Sequence, residues 1–237
     1  MLLELLKGFG IAVAYFLICV TGVLLLRRFF TIPRELYRKT LHTIILGSIF
    51  VWTYAFETWW IAVIASILLI SLVIPVLLLA ERFLPGYSEL LSERKAGEVK
   101  YSLIIAFAMF AIILTVCWGI LGEKYLVIAS ILAWGLGDAA AALVGKRFGR
   151  HHVEGKHIEG RKSMEGTLAM FVVAFVAVLA VLFINGSALR IGYIPVALLT
   201  AAACAAAELF TGNGLDTITC PLTAATVLIP LVLLAGG

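Results

Sequence analysis

The chain has 237 residues, of which 63% are hydrophobic and 14% charged, with a formal net charge of +4. At a mean hydropathy of +1.11 it has too few polar side chains to cover a soluble globule of this length, which excludes a soluble enzyme and leaves an integral membrane protein. So modest a positive balance gives no reason to expect a nucleic-acid partner, and where the charges sit says more than their sum.

A membrane-crossing helix needs about 20 mostly apolar residues, so charge-free stretches mark where such helices fit. They cover 8–26, 40–56, 58–80, 101–122, 125–145, 166–189, 191–207 and 217–237, the fifth broken only by Asp138. The windows at 40–56 and 191–207 hold only 17 residues each, which fits a helix extended past a snorkelling charge or a partly re-entrant one. The expectation is an all-α, polytopic protein with 7–8 transmembrane helices, forming a single transmembrane domain over residues 1–237. Pro75, Pro195 and Pro230 fall inside predicted spans, where neighbouring helices satisfy the released carbonyls. The runs Ala139–Ala142 and Thr200–Ala207 are small-residue faces suited to close helix packing. Cys19, Cys117, Cys204 and Cys220 lie in apolar context without a C-x-x-C pair and read as reduced packing residues.

Loop charge sets the expected orientation. With the N-terminus outside, 15 of the 18 Lys and Arg residues fall in cytoplasmic connections, and Lys7, Lys124 and Arg190 remain outside. The first apolar run lacks a small-residue cleavage site and reads as a retained helix.

Acids within the hydrocarbon cost roughly 2.5 to 3.5 kcal/mol on insertion scales, so each needs a reason. Asp138 is the clear case, and Glu208 and Asp216 bracket the inner end of the seventh window. Glycines at 135 and 137 weaken the helix beside Asp138 and point to a functional carboxylate over a packing one. Asp138 precedes Lys146 by eight residues, or about 12 Å of helix, within reach of a bound triphosphate and its metal. The segment 146–165 then reads as a cytoplasmic nucleotide-binding loop. Within it, Gly155 to Ser163 nearly spells a Walker loop, but an extra Arg interrupts the motif and no strand precedes it, so a P-loop fold is rejected. Lys162 and Ser163 stand before the next helix, whose dipole favours an anion. His151, His152 and His157 stand among cations and read as solvated or phosphate-facing. Arg38, Lys39 and His42 share one side of a helix and make a second cluster of phosphate ligands.

These segments resemble the membrane lipid-alcohol kinases: dolichol, phytol and farnesol kinases and the CTP-dependent diacylglycerol kinase of yeast. The resemblance is carried by Arg38-Lys-Thr-Leu-His42, by Gly137-Asp138 through Gly145-Lys-Arg-Phe-Gly149, by Lys162-Ser-Met-Glu-Gly166 and by Gly214-Leu-Asp-Thr-Ile-Thr-Cys-Pro221, with a weaker fifth segment at Glu98 and Tyr101. The fourth departs from the family pattern, having Thr217 where an Asn follows the Asp. The resemblance implies transfer of the γ-phosphoryl group of CTP to the hydroxyl of a membrane lipid alcohol, assisted by Mg²⁺. It places Asp138, Lys39, His42 and Lys162 in the catalytic set. Arg38, Gly145, Lys146, Arg147, Gly149, Lys162, Ser163, Glu165 and Gly166 would bind the nucleotide, and Asp138, Glu208 and Asp216 the metal. Asp138 would either hold that metal or deprotonate the lipid hydroxyl. Two other functions fit parts of the pattern. A cytidylyltransferase joining CMP to a phospholipid needs a similar site, and a transporter also permits a buried acid, though no inverted repeat is evident.

Overall fold

The computed structural model describes residues 1–93, 95, 97–153, 162–185, 192–212 and 215–236. Among these residues the secondary structure is helical, with one isolated antiparallel bridge and no strand. In chain order the helices are α1 (Leu2–Phe29), α2 (Arg34–Tyr54), α3 (Trp59–Phe83), the single turn α4 (Tyr87–Leu90), α5 (Glu98–Ile113), α6 (Lys124–Phe148), α7 (Met164–Ile184), α8 (Tyr193–Phe210) and α9 (Asp216–Gly236). α5 runs on into a π-helical stretch, Leu114–Ile120. Among the described residues, seven helices are long and apolar enough to cross a membrane: α1, α3, α5 with its extension, and α6 to α9. The chain is therefore an integral membrane protein. The short 191–207 window becomes α8, which qualifies by reaching past Glu208 to Phe210. The other short window becomes α2, which begins further back among Arg34, Glu35, Arg38 and Lys39 and does not qualify. Pro75 and Pro230 lie within helices as expected, and so does Pro221, while Pro195 sits in the first turn of α8, where its missing N–H leaves no intrahelical bond unmade.

The chain divides into two compact units, Met1–Thr115 and Val116–Gly237. In the first, α1 packs on α2 and α3, and α3 on α5. Its core is aromatic. Trp52, fully buried, stacks on Phe56 at 6.0 Å between ring centroids and meets Phe107 edge-on at 6.1 Å. Glu4 reaches from α1 to the chain leading into α3 and accepts from the Glu57 and Thr58 amides at 3.0 and 2.9 Å, donors that the helix cannot satisfy itself.

Basic residues at the far ends of these helices hold the connection between α3 and α5. Arg27 donates to the Leu90 and Glu89 carbonyls and lies 4.4 Å over the Tyr37 ring, and Arg34 donates to the Glu93 carbonyl. The buried Glu93 carboxylate accepts from Ser88 at 3.1 Å and from the Val99 amide at 3.2 Å, so it caps α5. Gly97, just before that helix, has φ +79°, a conformation side chains resist. Burial, with Glu93 and Glu81 nearby, pushes the Tyr87 phenol up to about 12.

In the second unit α6 packs on α7, α7 on α8, α8 on α9 and α9 back on α6, a closed bundle in sequence order. Its core includes Trp134, Met170, Cys204 and Cys220. All four cysteines are unbridged. Lys124 opens α6 with its ammonium 4.1 Å from the Trp118 ring centroid, a cation–π contact.

The tightest apolar contact in the first unit yields a test. A Cβ on Gly8 would lie 2.4 Å from Cε1 of the buried Phe56. Gly8→Ala should therefore destabilise the protein by about 1 to 3 kcal/mol through overpacking, lowering its melting temperature in detergent. Combining it with Phe56→Leu should recover part of that loss.

Candidate functional site

Four helix ends meet at one end of the second unit: the C-termini of α6 and α8 and the N-termini of α7 and α9. This follows from the chain order and from contacts that join the loop before α7 to the end of α8, and the end of α8 to α9. Every expected site residue of this half of the chain except Asp138 sits on these ends.

α6 reaches α7 along a row of small residues at four-residue spacing, Gly137, Ala141, Gly145 and Gly149. Such a row lets two helix backbones approach closely. A Cβ on Gly166 would stand 2.9 Å from the Ala141 carbonyl oxygen, and one on Gly145 would stand 3.1 Å from Ser163 Oγ and 3.6 Å from the Gly166 Cα. Gly149 is tighter still, its Cβ position lying 2.3 Å from the Gly145 carbonyl oxygen and 2.8 Å from Ser163 Oγ. Gly137 faces Met170, whose Cγ would be 3.2 Å away. The room that these glycines open is filled by α7 and the residue that caps it.

Ser163 is that residue. It is the N-cap of α7, it is buried, and its Oγ accepts from the Gly166 amide at 3.1 Å, which satisfies one of the helix's orphan donors. The segment 146–165 is in part helical: Lys146 to Phe148 belong to the last turn of α6, and Met164 and Glu165 to the first turn of α7. Between them the loop is pinned at its base by the bridge from His152 to Ser163. The Val153 amide donates to the Lys162 carbonyl and the Met164 amide to the His151 carbonyl, both at 2.9 Å. Glu165 faces His151, Oε1 to Nδ1 2.8 Å, and also accepts from the His151 amide. The tip, with Gly155, Lys156, His157, Gly160 and Arg161, lies outside the described residues, as does Gly214.

Lys162 and Glu208, expected as a phosphate ligand and a metal ligand, are partners of each other. Nζ is 2.9 Å from Glu208 Oε1, and it also donates to the Glu208 carbonyl and, at 2.8 Å, to the Thr211 carbonyl. Thr211 in turn accepts from the Thr219 hydroxyl of α9 at 3.1 Å. Asp216, in the first turn of α9, accepts from the Thr217 amide at 2.9 Å. Lys146 and Arg147 are exposed, and the Arg147 guanidinium lies 5.3 Å from the Phe148 ring centroid. Asp138 is half-buried on α6, one residue beyond the glycine that faces Met170. Among the described residues, no three His, Cys, Asp or Glu side chains gather where they could hold a metal. Asp138, Glu208 and Asp216 therefore do not form a three-ligand cage.

Arg38, Lys39 and His42 belong to the first unit. Arg38 is held between Glu35 at 2.7 Å and Glu98 at 3.1 Å, which brings the first segment of the resemblance onto the weaker fifth. Lys39 is buried and His42 half-buried on the same helix. Sequence reasoning did not find the roles of Thr211, Thr219 or Glu35. The capping role of Ser163 did carry a signal, a Ser directly before an apolar helical run with an acid in the first turn.

At the opposite end of the bundle, a cleft of about 630 Å³ is lined by Val176, Leu179, Phe183, Tyr193 and Ile194 among others. The described lining is largely apolar and holds no charged side chain, whereas the polar end gathers Lys146, Arg147, Lys162, Glu208 and Asp216.

No protein-family model and no solved structure matches the chain. Among curated proteins, it is 30% identical over 229 residues to the phytol kinase of Synechocystis sp., an alignment covering 96% of this chain and 92% of that protein.

The α6–α7 seam can be tested without a substrate. Because the atom a Gly166 Cβ would strike is backbone, Gly166→Ala should cost about 1 to 3 kcal/mol. Ser163→Ala should cost about 1 kcal/mol through the lost cap. Thermal unfolding of both variants in detergent measures the two values.

Proposed function

The chain belongs to the membrane lipid-alcohol kinase family that phytol kinase represents, and we propose that it transfers the γ-phosphoryl group of CTP to the hydroxyl of an isoprenoid alcohol in the bilayer, with Mg²⁺. The observation that carries the proposal is the likeness to a phytol kinase along nearly the whole chain. This favours phosphoryl transfer over cytidylyl transfer or transport. Phytol is accordingly the first acceptor to test.

In this reading the polar end of the second unit is the reaction site and faces the cytoplasm. Phosphoryl transfer asks a protein chiefly to position two reactants and to neutralise charge on the transferred group. Lys146 and Arg147, exposed at the end of α6, would neutralise the triphosphate. The α7 N-terminus adds its positive dipole, while Ser163 acts on the nucleotide only through the helix it caps. The expected contributions of Arg38, Lys39 and His42 rest on the sequence motif.

A Mg²⁺ ion carried in on a nucleotide is usually held by one or two carboxylates together with the phosphates, and so needs no three-residue cage. Of the three acids the resemblance assigns to the metal, Asp138 and Asp216 would hold it, while Glu208 pairs with Lys162; the ion would supply charge neutralisation on the phosphate oxygens. If Asp138 acts instead as the base, it takes the proton of the lipid hydroxyl as that oxygen bonds to the γ-phosphorus. The bond to the β-phosphate oxygen breaks, and CDP leaves with the electron pair.

Two measurements test this. Purified protein given phytol and CTP labelled in the γ-phosphate should yield labelled lipid, whereas α-labelled CTP should not; the reverse pattern means cytidylyl transfer. Asp138→Asn should reduce turnover by at least about a thousandfold, judged against typical losses for groups acting in the transition state, while the variant still inserts and folds. Retained turnover would remove Asp138 from the mechanism.

A further inference from the structure

Lysine carries three N–H donors and no acceptor. The Lys162 ammonium has three partners: it donates to the Glu208 and Thr211 carbonyls and forms an ion pair with the Glu208 carboxylate. The two carbonyls stand at the end of α8, which carries the negative pole of the helix; the Glu208 carbonyl also accepts from the Thr211 amide at 3.3 Å. The carboxylate is nearly buried, and an unpaired charge there would be costly. A phosphate could claim this ammonium only by taking a donor from the end of α8 and leaving the Glu208 carboxylate without its counter-charge.

From this we propose that Lys162 is a positioning residue that contributes no donor to the nucleotide. It fastens the returning arm of the α6–α7 loop to α8. Its backbone continues the fastening, since its carbonyl accepts from Val153 and the next residue caps α7. Thr211 passes the restraint to α9 through Thr219. One side chain thereby fixes the loop, the α7 N-terminus and the α8–α9 turn relative to each other. The inference deepens the site proposed above and rests on that reading for its activity test.

The test is a double-mutant cycle of Lys162→Met, Glu208→Gln and the double variant, with turnover measured on phytol and CTP. Amide exchange at Val153 and Met164 is followed separately, without nucleotide. Lys162→Met should cut turnover at least tenfold and speed exchange at both amides. The double variant should be no worse than Lys162→Met alone, because removing both partners leaves no unmatched buried charge. Lys162→Met and Glu208→Gln should change the KM for CTP by similar factors. Losses that multiply in the double variant, or a KM raised more than tenfold by Lys162→Met and unmoved by Glu208→Gln, would mean two independent ligands and overturn the proposal. So would unchanged exchange at Val153 and Met164. If the wild-type protein transfers no phosphate from CTP, exchange that responds as expected still upholds the fastening and places the failure in the choice of reaction.

Discussion

The polar end of the second unit depends on how closely α6 approaches α7. Gly145, Gly149 and Gly166 leave no space for a side chain between the two helices, and Ser163 Oγ occupies what remains. A single hydroxyl thus serves as helix cap and as packing against α6. Because the seam is closed by backbone on both sides, the two ends of the loop are set by helix packing, whatever the loop's own sequence prefers. The paired amides of Val153 and Met164 extend that order a short way into the loop.

Charge in this protein is spent largely on architecture. Arg27 and Arg34 donate to backbone carbonyls of the α3–α5 connection, Arg38 bridges two carboxylates, and Lys162 caps α8. Each cation placed at a helix C-terminus or beside an acid satisfies groups that lie near the membrane boundary, where an unmet carbonyl is expensive. A count of Lys and Arg in the loops therefore overstates how many are available to a polyphosphate.

The division between what could and could not be read from the sequence follows the same line. Charge-free windows located the membrane helices because exclusion of charge from hydrocarbon acts on each segment separately. Even the short window at 191–207 was recovered as α8, lengthened past an acid that has its own partner. The glycines beside Asp138 and in Gly145 to Gly149 were legible as places of close approach, but not as to what approaches. Met170 of α7 lies against Gly137, and Ser163 and the Gly166 backbone lie against Gly145. The pairing of Lys162 with Glu208 spans 46 positions, and no local pattern encodes a contact that exists only once three helices have packed. The cap by Ser163, by contrast, is a local device and was readable.

Asp138 lies on the same side of α6 as the glycine row. Gly137 faces α7; Asp138 is about 100° further round the axis, and Gly145, seven residues on, returns to within about 20° of it. It also lies about 12 Å along the helix from Lys146. In the proposed reading, a phosphate neutralised at the exposed end of α6 and a hydroxyl brought to Asp138 would approach along one helix. That arrangement suits a reaction between a soluble nucleotide and an acceptor that never leaves the bilayer. It also gives the glycine seam a further consequence: by fixing how α6 is turned against α7, the seam fixes which way Asp138 faces.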